Sequence, residues 1–578
     1  MERLTSGRVA APRALWCVAS VQLAALSMSA AMSGRPARDR PRFAAAFKDG
    51  AVVQGAVNAA IAAGAPVVQI APGNYSFGAA PFVVAGATQL KVVGAGVAPH
   101  TGTHLWFAPG FGVEVLASTD ISVQGFTTDS LTPTYSQGKV LSVSGDGHTL
   151  TMQVEPGFPL PDGRVEPIFN ATCADGSSGV CSEVKMIYWD AATRRMWQGQ
   201  QMNSPMKTAV CEAEKASGTR CTVTTVAPMA WAPPPGSLLT LSPRIGATNH
   251  PIPSFYKGTL LVFNSTRVLL EDVDTYAVGD MARVENLGGG GHTYRRVNVK
   301  RRLEPPYAPR LLASNTDGFH SFSVEKGALL EDCEFGFLGD DFLNFHDRLL
   351  PIASVAAGGS VLRVTDVSDI YGHGTLPGKG APTHTMAAVV PGDVVKLYSA
   401  DSHTFLGSVA VKAAHRISAA APPLPTALQN RVEPSAIQLW EVTTATARLP
   451  GIGPYEAVAQ IDRLASRGAI VRNCDFHDSY NNVGRLAASD LIVENNTFER
   501  AGDGIHVSYD ISGSFLEGSL GLHNISVVNN TFIAVTGCGS ARNGAHGCAD
   551  VCSNISCVLS HIDVPGVLTA SGNVVRIE

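Results

Sequence analysis

LIVENNTFERAGDGIHVS (491–508) joins a short β-branched strand to an asparagine pair, a phenylalanine one residue further on, a glycine-containing turn and a second short strand. The plan recurs in ALLEDCEFGFLGDDFLNFH (328–346), AIVRNCDFHDSYNNVGRLA (469–487) and ISVVNNTFIAVTGCG (525–539), with DC, NC or NN as the polar pair. A weaker copy is RVLLEDVDTYAVGDMARV (267–284), and Phe476, Phe498 and Phe532 follow one another at steps of 22 and 34 residues. Repeats of this length, with Asn or Cys at a fixed turn, mark a parallel β-solenoid. One coil cannot bury its apolar face alone, so equivalent positions of successive coils lie over one another at about 4.8 Å. Asn or Cys repeated at one turn is then expected to form a hydrogen-bonded ladder inside the stack.

Outward from this segment the same plan continues. AVVQGAVNAAIAAG (51–64) reads as an amphipathic helix covering the first coil, followed by strands in VVQIAPGNYSF (67–77) and LKVVGAGV (90–97). Two stretches break the rhythm with longer strand–turn alternation, as small antiparallel barrels do. The expected layout is a cap and first coils over 45–135, an inserted barrel over 136–245, and coils over 246–348. A second barrel over 349–445 is followed by C-terminal coils and a cysteine-rich tail over 446–578. Insertions in solenoids map to one face, so both barrels are expected to wall the active one.

Of 578 residues only 16% are charged, and the net charge is −5. No basic stripe interleaved with aromatics is present, which excludes nucleic acid as a partner. Arg3, Arg8 and Arg13 precede the apolar run 14–32, so residues 1–31 read as a secretory signal cleaved around Ala30 or Ala31. The run is also long enough to stay as a signal anchor, with Arg35, Arg38, Arg40 and Arg42 behind it. The expected location is therefore outside the cell or in the secretory lumen. Cys173, Cys181, Cys211 and Cys221 form one cluster and Cys538, Cys548, Cys552 and Cys557 another. Without CxxC spacing these suit two local disulfide sets better than zinc. Sequons begin at Asn74, Asn170, Asn264, Asn495, Asn524, Asn529 and Asn554; Asn495 and Asn529 fall in NNTF turns expected to face inward, where a glycan would not fit.

The chemistry is sought in GDDFLNFHDR (339–348). Adjacent acids repel, and Asp317 in SNTDGFH (314–320) lies 23 residues before Asp340, about one coil. Asp317, Asp340 and Asp341 should therefore share one face. Crowding of this kind raises at least one pKa, which a general acid near neutral pH requires. Glycoside hydrolysis needs one protonated and one ionised carboxyl. His320, Asn344, His346 and Arg485 are the candidates for gripping sugar hydroxyls. A solvated acidic turn and a calcium site are the competing readings; no Lys or Arg base is evident beside the cluster to serve a calcium-dependent lyase. DGIH (503–506) repeats DGFH (317–320), with Asp510 close behind, and reads as the same turn used again.

DGFHSFSVEKGALLEDCEFGFLGDDFLNFH (317–346) resembles the active-site segment of glycoside hydrolase family 110, the exo-acting α-galactosidases that cleave terminal α-1,3-linked galactose. The two insertions, QGKVLSVSGDGHTLTMQVEPGFP and PGDVVKLYSADSHTFLGSVAVKAA, agree with the family, as does the run from ENNTFERAGDGIH to NISVVNNTF. The likeness spans most of residues 45–535. It implies a right-handed parallel β-helix with inserted barrels and metal-independent, inverting hydrolysis. Its three essential aspartates fall on Asp317, Asp340 and Asp341, with Asp340 taken as the acid. Phe319, Phe342 and Asp347 depart from the smaller aliphatic residues and the glycine usual there, and bear on substrate identity. No metal or other cofactor is implied, and the expected partner is an oligosaccharide or glycoconjugate.

Two alternatives stay open. A polygalacturonase-like reading finds its motifs in Asn315-Thr316-Asp317, Asp340-Asp341 and Gly372-His373-Gly374, but lacks the later Arg-Ile-Lys. An inert glycan-binding solenoid would have no use for clustered carboxylates. Oligomeric state is not legible.

Overall fold

The computed structural model describes residues 47–163, 169, 184–197, 206–214, 218–243, 259–304, 309–356, 359–367, 384–418, 423, 437–445, 452–507, 517–535 and 567–576. The expected signal segment, most of the clustered cysteines, Asn170, Asn554, His373 and Asp510 lie outside them. Asp49 caps the first helix, Gly50–Ala63, by accepting from the Ala51 amide (2.9 Å), and Gly64 closes it in the left-handed region at φ 64°. Its buried Val53, Val57 and Ala60 cover the first coil.

The chain then winds as a right-handed parallel β-helix whose strands form three rows. One row stacks Lys91–Val93, Leu329–Glu331, Ile470–Arg472, Ile492–Glu494 and Ile525–Val528, putting Leu330, Val471, Val493 and Val527 in one buried column. A second row aligns Phe335, Phe476, Phe498 and Phe532. The rings of Phe476 and Phe498 stack at 4.9 Å, and those of Phe498 and Phe532 at 5.2 Å. The third row runs through Arg283–Asn286, Phe319–Phe322 and Leu343–Arg348 to the end of Asp475–Leu486.

At the corner between the first two rows each coil bends through a left-handed residue. Asp272, Arg296, Asp332, Asn473, Asn495 and Asn529 all have φ between 50° and 56°. Asn and Asp tolerate this conformation better than other side-chain-bearing residues. The following residue turns inward and makes the expected ladder. The Cys333 amide donates to Cys474 Sγ (3.4 Å), the Cys474 amide to Asn496 Oδ1 (2.9 Å) and the Asn496 amide to Asn530 Oδ1 (2.9 Å). The Asn530 amide in turn donates to Asn573 Oδ1 (2.8 Å). One expectation is corrected by this corner. It is the second asparagine of each NNTF that is buried, so Asn495 and Asn529 themselves face solvent.

Both insertions are closed six-stranded antiparallel barrels. The first uses strands from Ser136–Val143 to Leu238–Pro243, and a disulfide joins Cys211 to the directly opposed Cys221. The second begins at Leu350–Val355 and closes only with Ala457–Ile461, past the boundary expected at 445. The stretch 437–444 looks final in the sequence, but an antiparallel barrel needs a further strand to cover its open edge.

The ladder gives a testable contrast. Asn530 accepts from the Asn496 amide and side chain and donates to Val493 O (2.9 Å) and Asn573 Oδ1 (3.1 Å). Asn530→Ala should cost about 2–3 kcal/mol in urea unfolding, because it orphans buried partners. Asn529→Ala, at the exposed neighbour, loses only the asparagine preference for the left-handed corner and should cost about 1 kcal/mol.

Candidate functional site

The aspartates sit at the corner that leads into the third row. Phe319 pairs with Leu343, and the Gly318 amide donates to the Asp341 carbonyl (2.9 Å), so Asp317 lies one coil below Asp341 rather than below Asp340. One carboxyl oxygen from each of Asp317, Asp340 and Asp341 falls within 4.8 Å of the others. Close backbone approach makes this convergence workable. At Gly339 a Cβ would meet the Asn315 carbonyl oxygen at 2.2 Å, so only glycine lets the coil carrying Asp340 settle on the one below.

Row register extends the site over four coils. Leu343 pairs with Gly484, and Asn482 with Asp503. DGFH (317–320), DFLN (341–344), NVGR (482–485) and DGIH (503–506) therefore stack as one repeated four-residue unit. Its first positions are Asp317, Asp341, Asn482 and Asp503; its last are His320, Asn344, Arg485 and His506. DGIH is thus continuous with the site's row and not a turn reused elsewhere. The spacing was visible in the sequence as a polar residue three after each Asp or Asn.

The three carboxyls have different surroundings. Asp340 is the most reachable, with 16% of its side chain exposed, and it pairs with Lys185 Nζ at 2.5 Å. Lys185 comes from Val184–Trp189 of the first barrel and also donates to the Gly339 carbonyl (2.6 Å). This overturns the expectation that no basic residue stands at the cluster. The Asn481 side-chain amide lies 2.7 Å from Asp340 Oδ1 and 2.8 Å from Asp341 Oδ1, and the Asn482 amide donates to Asp341 Oδ1 (3.1 Å). Asp317 Oδ2 accepts from His320 Nδ1 (2.8 Å) and, more weakly, from Asn344 Nδ2 (3.5 Å). Burial, then the charges of Asp340 and Asp317, push Asp341 well above the 3.8 of a free aspartate, against a smaller opposing pull from Arg485.

The residues expected to grip sugar divide in placement. His320, Asn344 and Arg485 share one column, and Arg485 pairs with Glu517 (3.2 Å). His346 is fully buried, two residues beyond Asn344 on the same strand, between His320 Nε2 (2.8 Å) and the Asp347 carbonyl (2.7 Å). Burial, with His320 beside it, drives its pKa well below the ordinary range. Sequence reasoning missed Lys185, Asn481, Asn482 and Glu517. A groove of about 770 Å³ opens elsewhere, at the left-handed corner, lined by acids such as Asp272, Glu334 and Asp475. Arg296, Lys300 and His477 pair with its carboxylates, and it contains none of the three aspartates.

No family model matches this chain, and no curated protein does. Among solved structures, the A-module of Azotobacter vinelandii mannuronan C-5 epimerase AlgE4 matches at 10% identity over 85% of this chain and 76% of that one, with a TM-score of 0.30. The A-module of AlgE6 from the same organism matches at 11% identity over 92% and 97%, with a TM-score of 0.28. The Agl-KA catalytic domain matches at 10% identity over 94% and 69%, also with a TM-score of 0.28. Likenesses of this size carry no argument about the site.

The raised Asp341 makes a stability prediction. A carboxyl with a raised folded-state pKa stabilises the fold below its unfolded value and loses that contribution as pH climbs through the folded value. Wild type should therefore weaken relative to Asp341→Asn as pH rises from about 4 to 7, with the variant at least as stable at pH 7 by urea midpoint.

Proposed function

We propose that the protein is a glycoside hydrolase that removes terminal α-linked galactose by acid/base catalysis at Asp317, Asp340 and Asp341. One observation carries the reading: three carboxyls converge within 4.8 Å, and one of them is pushed toward the protonated form while another is neutralised by an ammonium. Environments that drive neighbouring carboxyls apart in proton affinity separate acid from base.

Asp341 enters the cycle holding the proton, in place of Asp340. Buried, with like charges on both sides, it loses least by staying neutral, and it delivers its proton to the departing glycosidic oxygen. Asp340 is kept ionised by Lys185, and Asp317 is held by His320 Nδ1–H and Asn344. These two carboxylates position and deprotonate one water. Oxygens within 4.8 Å are closer than the roughly 6.5–9.5 Å of ordinary inverting pairs. Such closeness is nearer the roughly 5–5.5 Å of retaining pairs, so inversion is proposed on the family 110 resemblance alone. Lys185 reopens the lyase reading only in part, since an ammonium already paired with a carboxylate is a poor base. The α-1,3-galactoside as substrate rests on the family 110 resemblance of residues 317–346, and secretion on the N-terminal run.

Each of Asp317→Asn, Asp340→Asn and Asp341→Asn should lower kcat/KM on an α-1,3-galactoside by about 10³-fold or more, with folding intact by circular dichroism. On an aryl α-galactoside with an activated leaving group, which needs no acid, Asp341→Asn should recover most of its kcat and Asp340→Asn should not. Recovery by Asp340→Asn instead would return the acid to that residue. Proton NMR of the first-formed sugar should show the β anomer. Turnover of polygalacturonate, but of no aryl glycoside, would replace the galactosidase reading.

A further inference from the structure

Beside Asp317 stands a pair of histidines whose Nε2 atoms the hydrolytic cycle does not use. His320 Nδ1 donates to Asp317 Oδ2 (2.8 Å), and His346 Nδ1 donates to the backbone carbonyl of Asp347 (2.7 Å). A carbonyl and a carboxylate oxygen accept, so in the neutral tautomer that fits these bonds each ring carries its hydrogen on Nδ1 and turns the lone pair of Nε2 toward the other ring. Those two lone pairs face one another at 2.8 Å. Nothing holds two lone pairs at that distance except a positive charge between them.

The surroundings select what that charge is. A carboxylate oxygen of Glu517 and one ring nitrogen each of His320 and His346 all lie within 4.8 Å of one another. A shared proton is bonded fully by the two nitrogens and gains only charge attraction from a nearby carboxylate, whereas a metal ion needs that oxygen as a third ligand. Glu517 is brought there deliberately by the backbone, since Glu517–Gly518 pairs antiparallel with Asp347–Arg348. Arg485 takes Glu517 Oε2 (3.2 Å), which leaves Oε1 to coordinate. Phe322 stacks on His346 at 5.3 Å and meets His320 edge-on at 5.4 Å, fixing both rings. Asn344, opposite His320 in the next coil, keeps a buried Oδ1 without a partner. Histidines that donate their second nitrogen to a carboxylate or a carbonyl are the usual supports of a metal centre.

We propose that His320 Nε2, His346 Nε2 and the Glu517 carboxylate bind one divalent first-row transition ion of zinc type, with the unpartnered Asn344 Oδ1 a candidate for the fourth position. Nitrogen ligands at 2.0–2.1 Å in a tetrahedron lie about 3.3 Å apart, so the rings part by about half an ångström when the ion enters. The ion fixes His320, and through its Nδ1–H fixes Asp317; it takes no bond to substrate. This departs from the cofactor-free expectation, and it holds whether or not the aspartates cleave galactosides.

The test reads metal, not turnover. Full-length protein stripped with chelator and dialysed against Zn(II) should retain about one equivalent per chain by mass spectrometry of the metal. Co(II) in its place should give visible d–d bands. His346→Ala and Glu517→Ala should each lower affinity at least about tenfold, while His506→Ala and Asp340→Asn, which leave the three ligands in place, should not. Should His346→Ala fold poorly, the Co(II) spectrum of wild type still decides, since histidine ligation gives bands that an oxygen-only site does not. No bound metal, oxygen-only bands, or retention unchanged in Glu517→Ala would overturn the site. Retention lost in Asp340→Asn but not in His346→Ala would place any ion on the aspartates and refute it equally.

Discussion

Parallel stacking at fixed register is the constraint from which the rest follows. A coil of this solenoid satisfies its backbone only by bonding to the coils on either side, so a residue's neighbours are set by integer coil steps. The Gly318 amide bonds to the Asp341 carbonyl and the Phe319 amide to the Phe342 carbonyl. Those two bonds are what bring Asp317 and Asp341 together against their mutual repulsion. Cohesion of the apolar columns and the Asn–Cys ladder opposes that repulsion, so a strained acidic site is held by a stack that does not depend on it.

Much of the stack was readable because its period is carried by large and chemically distinctive residues. Phe476, Phe498 and Phe532 follow one another at visible steps, and the asparagine pairs at 495–496 and 529–530 point to a ladder without saying which member makes it. The error at Asn495 and Asn529 came from the same source. A pair of identical residues does not say which member enters the left-handed corner and which turns inward, and only backbone dihedrals distinguish them. A similar one-residue uncertainty leaves Asp317 beneath the Asp340–Asp341 pair in the sequence, and the backbone register resolves it to Asp341.

The site was legible only where its residues belong to the repeat. Asp317, Asp340, Asp341, His320, Asn344, His346 and Arg485 all come from coils. Lys185 arrives from a barrel whose sequence has its own alternation, 155 positions from Asp340, and no local pattern reports that distance. Glu517 is hidden for another reason. It reaches the histidines through a two-residue antiparallel pairing with Asp347–Arg348, too short to leave a periodic signal. Asn481 and Asn482 stand in YNNVGR, where an asparagine pair looks like one more copy of the ladder turn.

Asn315 closes the account of how the barrel meets the coils. Its side-chain amide donates to the Thr134 carbonyl (3.1 Å), where the first insertion departs, and to the Pro243 carbonyl (2.9 Å), where it returns. Both stems of the insertion are thereby tied to one side chain two residues before Asp317. Length or sequence drift in the intervening hundred or so residues is absorbed above that knot and is not passed down to the carboxyl. Lineages could therefore remodel the wall above the three aspartates while the carboxyls beneath it stay where they were.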